Sequence, residues 1–331
     1  MKNVINLLEA SIHARNIYIT EQHNSAFRLF NGFTEGYPDL SLDIYGKTLL
    51  IHNYSKSPED NQTSSIQSWV LEKFPWIDNI ILKLRNGNSA SEKKGILLFG
   101  QSPDRQICEN GIWYAINLTI NRDASFYLDT RNLRTWAKNN LTGKTVLNTF
   151  AYTGSLGVAA LAGGAMRVIH MDRNNVFLNM AKHSNLLNNL PISSTDFLAE
   201  DFFPAVSRFK KSGQLFDCIF LDPPFFSSTS QGTVDLENNA IRLINKIRPL
   251  ITDEGWLVTI NNALFLSGED YWNSLVLLCQ DSYLTIEQII SVPQDICGYS
   301  TVPFGNYPAD PAPFNHPTKI TILKIRRKKT T

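Results

Sequence analysis

The segment Asn148–Gly154 (Asn-Thr-Phe-Ala-Tyr-Thr-Gly) follows a predicted buried strand and leads into a predicted helix that contains Gly157. Its glycines favour a tight turn and let a ligand approach the backbone, although a dinucleotide fingerprint would need a glycine in place of Tyr152. Asp172 ends the next predicted strand, where a carboxylate can accept hydrogen bonds from both hydroxyls of a ribose. The alternative is an ordinary turn and an aspartate that merely ends a strand.

A second candidate site is Asp222-Pro223-Pro224-Phe225-Phe226, directly after an apolar predicted strand. Ligands of open α/β sheets bind at the carboxyl ends of the strands. Two prolines fix the backbone and remove two N–H donors, which leaves the Asp222 carboxylate and the Pro223 carbonyl as acceptors. Acceptors are what an amino group about to be alkylated needs, and Phe225 or Phe226 could stack on an extruded base. The alternative is a structural turn with a core phenylalanine.

The elements that must position these residues change in character near Phe126. Before it, the pattern predicts a short helix near the N-terminus, a second helix at Ile66–Phe74 and six short strands. These strands are Ala26–Phe33, Leu40–Tyr45, Thr48–Asn53, Asn79–Leu84, Ile96–Phe99 and Ile112–Ile120.

After Phe126, strands and helices alternate, which predicts a parallel sheet covered on both faces. The last two strands are expected to form an antiparallel hairpin at its edge. The predicted strands are Thr145–Phe150, Arg167–Asp172, Asp196–Ala199, Phe216–Leu221, Gly255–Ile260, Gln288–Val292 and Lys319–Ile325.

The composition excludes several classes of protein. Of 331 residues, 43% are hydrophobic and 18% are charged, which excludes a disordered chain, and the length favours two domains. A net charge of +1 excludes binding that depends on overall positive charge. The four cysteines lack the spacing of disulfide frameworks or zinc sites, so no metal is expected. Without a secretory signal or an apolar run of about 20 residues, the chain is predicted to be cytoplasmic, with no membrane partner.

The two candidate sites together resemble a class I S-adenosylmethionine-dependent methyltransferase. More narrowly, the chain resembles the bacterial large-subunit ribosomal RNA methyltransferases that make 5-methylcytosine or 7-methylguanine. The resemblance lies in three stretches. The first comprises Ala26–Leu29, Glu35–Pro38 and Asp43–Gly46, and the second is Phe126–Arg131. The third begins with Asn148–Gly154 and extends to Asp222-Pro223-Pro224.

This resemblance implies an α/β fold in two domains. A smaller strand-rich α+β domain for substrate recognition would span residues 1–124. A Rossmann-like domain that binds S-adenosylmethionine would span residues 125–331, with a parallel sheet, an antiparallel edge strand and helices on both faces. The N-terminal RNA-binding module of the PUA type that the 5-methylcytosine enzymes share is expected to be absent.

The resemblance also implies roles for individual residues. Asp172 would hold the ribose of the cofactor, and Asp201 with Phe202 would face its adenine, although Asp201 could instead cap a helix. Tyr127 and Arg131 could instead pack a domain junction. The other residues implied to lie near the cofactor are Asp129, Asn148, Phe150, Tyr152, Thr153, Gly154 and Asp222.

The implied reaction is direct in-line methyl transfer to a base nitrogen in ribosomal RNA, without a cysteine nucleophile. Methylation of carbon 5 of a pyrimidine requires a thiolate, and the segment Thr259–Ala263 after the fifth strand has no cysteine. Asp222 and the Pro223 carbonyl would orient the base and Phe225 would stack on it. Asn261 could read the base edge or cap its strand. The alternatives are a protein or small-molecule substrate, or a 5-methylcytosine reaction that uses another cysteine such as Cys297.

RNA is the expected partner, although few basic residues cluster in the sequence. The only dense basic run is Lys324–Lys329, and acidic and basic residues are nearly balanced in the first 123 residues. A proline- and aromatic-rich loop, Gly298–His316, is expected either to frame the substrate cleft or to be an ordered surface loop.

Overall fold

The computed structural model describes residues 2–58, 60–299 and 307–327. The chain divides into two compact units, residues 1–128 with 293–306, and residues 129–292 with 307–331. The first unit therefore includes a segment starting at Pro293, which the sequence analysis grouped with the second domain. No described helix is long and apolar enough to cross a membrane.

The first unit contains a five-stranded sheet in the order β1-β2-β3-β4-β5, antiparallel except for the β3–β4 pair. A separate antiparallel pair, β6–β7, was not fully predicted, because β6 is short and follows a turn-rich stretch. The strands are β1 Ala26–Asn31, β2 Leu40–Tyr45, β3 Thr48–Asn53, β4 Asn79–Leu84, β5 Ile96–Phe99, β6 Gln106–Glu109 and β7 Ile112–Ala115. The helices are α1 Lys2–Arg15, α2 Gly32–Glu35, α3 Asp60–Lys73 and α4 Ala90–Lys94.

The two faces of this first sheet differ in polarity. In β2, the apolar residues Leu40, Leu42 and Ile44 belong to the core that the sheet shares with helices α1 and α3. Ser41 and Asp43 alternate with them and therefore point to the opposite face. That polar face is also buried along β2 and β3.

The second unit contains a seven-stranded sheet in the order β10-β9-β8-β11-β14-β16-β15. Its pairs are parallel except for those that β16 makes. The strands are β8 Thr145–Thr149, β9 Arg167–Asp172, β10 Phe197–Ala199, β11 Phe216–Leu221, β12 Phe226–Thr229, β13 Gly232–Asp235, β14 Ile251–Asn261, β15 Leu284–Ile290 and β16 Lys319–Ile325. The helices are α5 Arg131–Asn140, α6 Ser155–Ala162, α7 Asn175–Leu187, α8 Phe202–Ser212, α9 Ala240–Ile247 and α10 Gly268–Leu278.

This topology confirms the predicted Rossmann-like sheet and the antiparallel pair at its edge. The antiparallel strand β16 lies second from the edge, between β14 and β15. A tight hairpin does not join β15 to β16, because the chain between them leaves for the first unit. In the predicted Gly298–His316 loop, Phe314 is buried against Tyr271 and Trp272, whereas Phe304 lies outside the described residues.

The segment from Pro293 is fastened into the first unit through α11 (Gln294–Cys297) by buried polar contacts. The Arg15 guanidinium donates to both carboxylate oxygens of Glu35, at 2.7 and 2.9 Å, and to the Asp295 carbonyl at 2.8 Å. The backbone N–H of Arg28 donates to the Asp295 carboxylate at 2.9 Å. The Asn31 amide donates to the Ile296 carbonyl. Glu35 thus balances the buried charge of Arg15.

The described part of the basic C-terminal run packs near the start of β14. Lys324 lies 4.6 Å from the Trp256 ring centroid, and the Arg327 backbone N–H donates to the Asp253 carboxylate. Because β16 is antiparallel to β14, this end of the chain lies at the amino ends of the parallel strands, opposite the edge at which ligands bind. Lys328 and Lys329 lie outside the described residues.

Gly157 allows helix α6 to pack closely on strand β9. A Cβ atom there would lie 2.4 Å from the Cε1 atom of His170, a buried residue of β9. The His170 ring stacks on Phe197 and its pKa is lowered by burial to about 4. Gly157 therefore serves packing, whereas the sequence suggested that it lets a ligand approach.

We expect Gly157→Ala to lower the free energy of unfolding by about 1–3 kcal/mol, because the added methyl overpacks the interface with His170. Urea unfolding measures this. The cost should shrink when Gly157→Ala is introduced into a His170→Ala protein, where the clashing ring is gone. An unchanged unfolding midpoint would contradict the close packing.

Candidate functional site

The loop after β8 has a constrained backbone. Phe150, Tyr152 and Gly154 have left-handed φ angles of 51°, 50° and 79°. Only glycine adopts this conformation without cost, so tertiary contacts must hold the other two residues. The Tyr152 backbone N–H donates to the Asp172 carboxylate at 2.9 Å, and the Tyr152 ring packs edge-on against Phe177. The loop is therefore pinned to the end of the neighbouring strand.

Asp172 stands at the end of β9 and joins two turns. One carboxylate oxygen accepts from Tyr152 and the other accepts from the Asn174 backbone N–H at 2.8 Å. Burial raises the pKa of this partly buried carboxyl group. Each carboxylate oxygen has two lone pairs, so both can still accept a hydrogen bond from a hydroxyl group.

Asp201 lies at the end of β10 and caps helix α8. Its carboxylate accepts from the Phe203 backbone N–H at 3.0 Å, which is the capping alternative that the sequence left open. The second carboxylate oxygen lies 3.9 Å from Nε of Arg173. The neighbouring Glu200 is paired with Arg208 at 2.6 Å. Asp201 retains acceptor capacity in addition to its capping role.

These strand ends form one open cleft. Its wall includes Phe150, Asp172, Asp201 and Phe202, four of the residues predicted to bind the cofactor. The Phe150 and Phe202 rings stack with centroids 4.9 Å apart. Two carboxylates beside an aromatic pair suit a nucleoside, since its ribose offers hydroxyl donors and its base offers a flat apolar face and an amino group.

A hairpin that is absent from the predicted strands completes the cleft wall. Strands β12 and β13 form it, and Ser227, Thr229, Gly232 and Val234 line the cleft. A Cβ atom at Gly232 would lie 2.4 Å from the Phe203 ring, so the hairpin packs closely on helix α8. Between Ser227 and Asp235 the only apolar side chain is Val234, which is 2% exposed.

Asp222, at the end of β11, lies at the same edge of the sheet. Burial raises its pKa to about 7, and the nearby Asp129 carboxylate contributes to the shift. Asp129 itself accepts from the Thr318 hydroxyl at 2.9 Å. Within the described residues, the Asp222 carboxylate accepts no hydrogen bond, so it is available to a ligand. Because β9, β8 and β11 are adjacent and parallel, Asp172 and Asp222 both lie at the carboxyl ends of the strands.

Around Asp222, Pro223 and Asn261 are buried, whereas Phe225 and Phe226 are exposed. Pro223 is buried and lines a small cavity together with Asn261. The Asn261 amide donates to the Leu236 carbonyl at 3.1 Å and accepts from the Ala263 N–H at 2.9 Å, so its contacts are those of a strand cap. Phe225 and Phe226 are 43% and 58% exposed, as a stacking surface requires.

Other predicted cofactor residues do not belong to the described wall of the cleft. Asn148 is buried within β8, with its amide 3.5 Å from a His170 ring nitrogen. Arg131 is the first residue of α5, and Tyr127 belongs to the first unit. The remaining such residues are Asp129, Tyr152, Thr153, Gly154 and Asp222. Their roles stay predictions. Among the described residues, no group of three or more His, Cys, Asp or Glu side chains could hold a metal ion.

Comparisons with known proteins agree with this geometry. Residues 84–276 match the S-adenosylmethionine-dependent methyltransferase family. The chain is 31% identical over 234 residues to the ribosomal RNA large subunit methyltransferase I of Yersinia pseudotuberculosis, an alignment that covers 66% of this chain. That alignment spans only 58% of the length of the Yersinia protein.

Solved structures share the fold at low sequence identity. The crystal structure of SMU.776 in complex with SAH has a TM-score of 0.85 at 23% identity, and the match covers 98% of this chain and 81% of that one. The tRNA m1G37 methyltransferase of M. jannaschii has a TM-score of 0.57 at 14% identity, covering 97% of this chain and 79% of its own. These likenesses confirm the predicted Rossmann-like fold.

We expect Asp172→Ala to weaken the binding of S-adenosylhomocysteine by about 1–3 kcal/mol, because the ribose hydroxyls lose their acceptor. Isothermal titration calorimetry measures this. Asp196→Ala is the matched control, since it removes a carboxylate that pairs with Arg167 outside the cleft. Equal affinities of the wild type and Asp172→Ala would remove Asp172 from the cofactor site.

Proposed function

Because the chain belongs to the S-adenosylmethionine-dependent methyltransferase family, we propose that it methylates a nitrogen of a base in RNA, with ribosomal RNA as the substrate. The observation that carries the proposal is the cleft at the ends of β8, β9 and β10, beside the free acceptor Asp222 at the end of β11. Such a substrate would be met in the cytoplasm.

The RNA substrate is inferred from the relatives. The curated relative at 31% identity is named for ribosomal RNA, and a structural neighbour is named for tRNA. This chain spans 58% of the former's length, so the substrate does not follow from the alignment alone. The exposed Phe225 and Phe226 support a planar base as the acceptor, since an aromatic ring stacks on it.

The residues of the cleft fit an adenosyl cofactor. Asp172 would accept from the ribose, and Asp201 and Phe202 would bind the adenine beside Phe150. The bound cofactor supplies an electrophilic methyl group. The protein's part is to hold the target nitrogen in line with it and to exclude water.

Asp222 and Pro223 would position that nitrogen. The Asp222 carboxylate and the Pro223 carbonyl accept from the amino group of the base, so that its lone pair points at the methyl carbon. A carboxyl group with a pKa near 7 can also take up the proton that the nitrogen loses. Phe225 stacks on the base and Asn261 supports the strand end.

The state of the cysteines supports direct transfer rather than a covalent thiolate mechanism. Cys218 is fully buried in β11, and burial raises its pKa well above the usual thiol range. Burial also raises the pKa of Cys279. Raised pKa values disfavour the thiolate, which is the nucleophilic form. Cys297, the remaining candidate from the sequence, lies on α11 in the first unit.

We expect the rate of methyl transfer to fall as the pH drops below about 7, because protonation of Asp222 removes the acceptor. Asp222→Ala should reduce the rate at least about 100-fold while cofactor affinity is retained. Single-turnover rates between acidic and alkaline pH measure both effects.

Asp129→Asn is the control for this pH profile. It removes the neighbouring negative charge that helps to raise the pKa of Asp222, so the midpoint of the profile should move below 7. Undiminished transfer by Asp222→Ala would rule out the acceptor role.

The substrate is tested by mass spectrometry of ribosomal RNA nucleosides from cells with and without the gene. We expect one methylated base to be lost in the deletion strain and restored by the wild-type gene but not by Asp222→Ala. Loss of a 5-methylpyrimidine instead of an N-methylated base would contradict transfer to nitrogen. Identical nucleoside profiles would contradict ribosomal RNA as the substrate.

A further inference from the structure

The polar face of the first sheet carries motif residues to which the methyl-transfer site gives no role. Arg28 of β1 donates to both carboxylate oxygens of Asp43 of β2, at 2.8 and 3.1 Å. His52 of β3 lies 3.4 Å from the same carboxylate, and burial lowers its pKa. The charge of Asp43 is thus balanced by Arg28.

An aromatic pair, the half-buried Tyr54 and the exposed Phe33, continues this face beyond β3. Tyr54 follows His52 by two residues, and its ring meets the Phe33 ring edge-on at 5.3 Å. The guanidinium of Arg85 lies 5.7 Å from the Tyr54 ring centroid. Phe33 is 47% exposed, a substantial loss of apolar burial for a phenylalanine.

Arg85, which lies beside Tyr54, and Arg122 each donate to the other's backbone carbonyl. The Arg85 guanidinium donates to the Arg122 carbonyl at 2.7 Å, and the Arg122 guanidinium donates to the Arg85 carbonyl at 2.8 Å. The Lys83 amine fixes the same turn through the carbonyls of Asn121 and Asp123. Among the described residues, Asp123 pairs with Arg85 at 3.2 Å and no carboxylate pairs with Arg122, so the charge of the two guanidinium groups is only partly neutralised. Within the described residues, Nε of Arg85 is buried without an acceptor.

We propose that this aromatic–arginine patch, formed by Phe33, Tyr54, Arg85 and Arg122, binds an unpaired nucleotide of the RNA substrate. A base would stack on the exposed Phe33 ring, and the adjoining phosphate would pair with the Arg122 guanidinium. An aromatic ring beside a guanidinium of unbalanced charge matches the two chemical features that every single-stranded nucleotide carries, a flat base and an anionic phosphate. The inference rests on the proposed RNA substrate.

The stacking part is tested by the affinity of the full chain for a short fluorescein-labelled single-stranded RNA, measured by anisotropy. Phe33→Ala should weaken binding about tenfold, and Phe33→Trp should retain it. Phe99→Ala is the matched control, since Phe99 is 40% exposed on the edge strand β5 of the same sheet and should leave binding unchanged. Equal effects of Phe33→Ala and Phe99→Ala would overturn the stacking site.

The phosphate part is tested by reversing single charges. Arg122→Glu should weaken binding and reduce the salt dependence of the affinity by about 0.7 in slope, as expected for one lost phosphate contact on a single strand. Lys73→Glu is the control, because Lys73 is exposed at the end of α3, which packs on the opposite face of the sheet. Equal losses in the two charge variants would overturn a local site.

Two further measurements separate the patch from the proposed function. S-adenosylhomocysteine should bind all variants with wild-type affinity, which shows that the second unit is intact. Sensitivity to Arg122→Glu without sensitivity to Phe33→Ala would indicate a site for phosphate only and overturn the patch. A wild-type chain that methylates RNA while Phe33→Ala binds RNA normally overturns the patch alone. A wild-type chain that neither binds nor methylates RNA overturns both.

Discussion

The hydrogen bonds of the Asp172 carboxylate organise the candidate site. One oxygen holds the left-handed loop after β8 and the other holds the turn after β9. The positive φ angles at Phe150 and Tyr152 are strained, so surrounding contacts must hold them. The hydrogen bond from the Tyr152 N–H to Asp172 is one such contact. The same carboxylate faces the cleft, so the group that shapes the loop is also available to a ribose.

The cleft also depends on the order of the strands. Because β10, β9, β8 and β11 are adjacent and parallel, their carboxyl ends lie along one edge. Asp201, Asp172, the Phe150 loop and Asp222 are therefore neighbours in space although Asp222 stands far along the chain from Phe150. The polar hairpin β12–β13 then closes the side that the strand ends leave open.

Much of this arrangement could be predicted from the sequence, because buried strands such as Phe216–Leu221 alternate with periodic helices. Asp172 and Asp222 could be singled out since both follow such strands directly. The hairpin could not, because Ser227–Val234 is polar and its only core side chain is Val234. Gly157 was misinterpreted, since its neighbour His170 comes from a strand that local sequence does not pair with it.

Polar contacts between residues far apart in the sequence could not be predicted either. Nothing near Arg15 in the sequence indicates that it donates to the Asp295 carbonyl. The sequence therefore contains no signal that the segment from Pro293 lies in the first compact unit. The capping role of Asp201 was foreseen as an alternative, because an aspartate before an amphipathic helix is a local signal. The sequence therefore predicted roles that depend on neighbouring residues, but it did not predict which distant segments contact each other.

The first unit is discontinuous along the chain, and this has a consequence during protein synthesis. Arg15 and Glu35 emerge early from the ribosome, but their partner at Asp295 emerges only after most of the second unit has been made. Until then, Arg15, Arg28 and Asn31 lack their partners in α11. A fragment that ends at residue 128 would lack those partners permanently. The contacts of the first unit can therefore be completed only after the last quarter of the polypeptide has begun to be made.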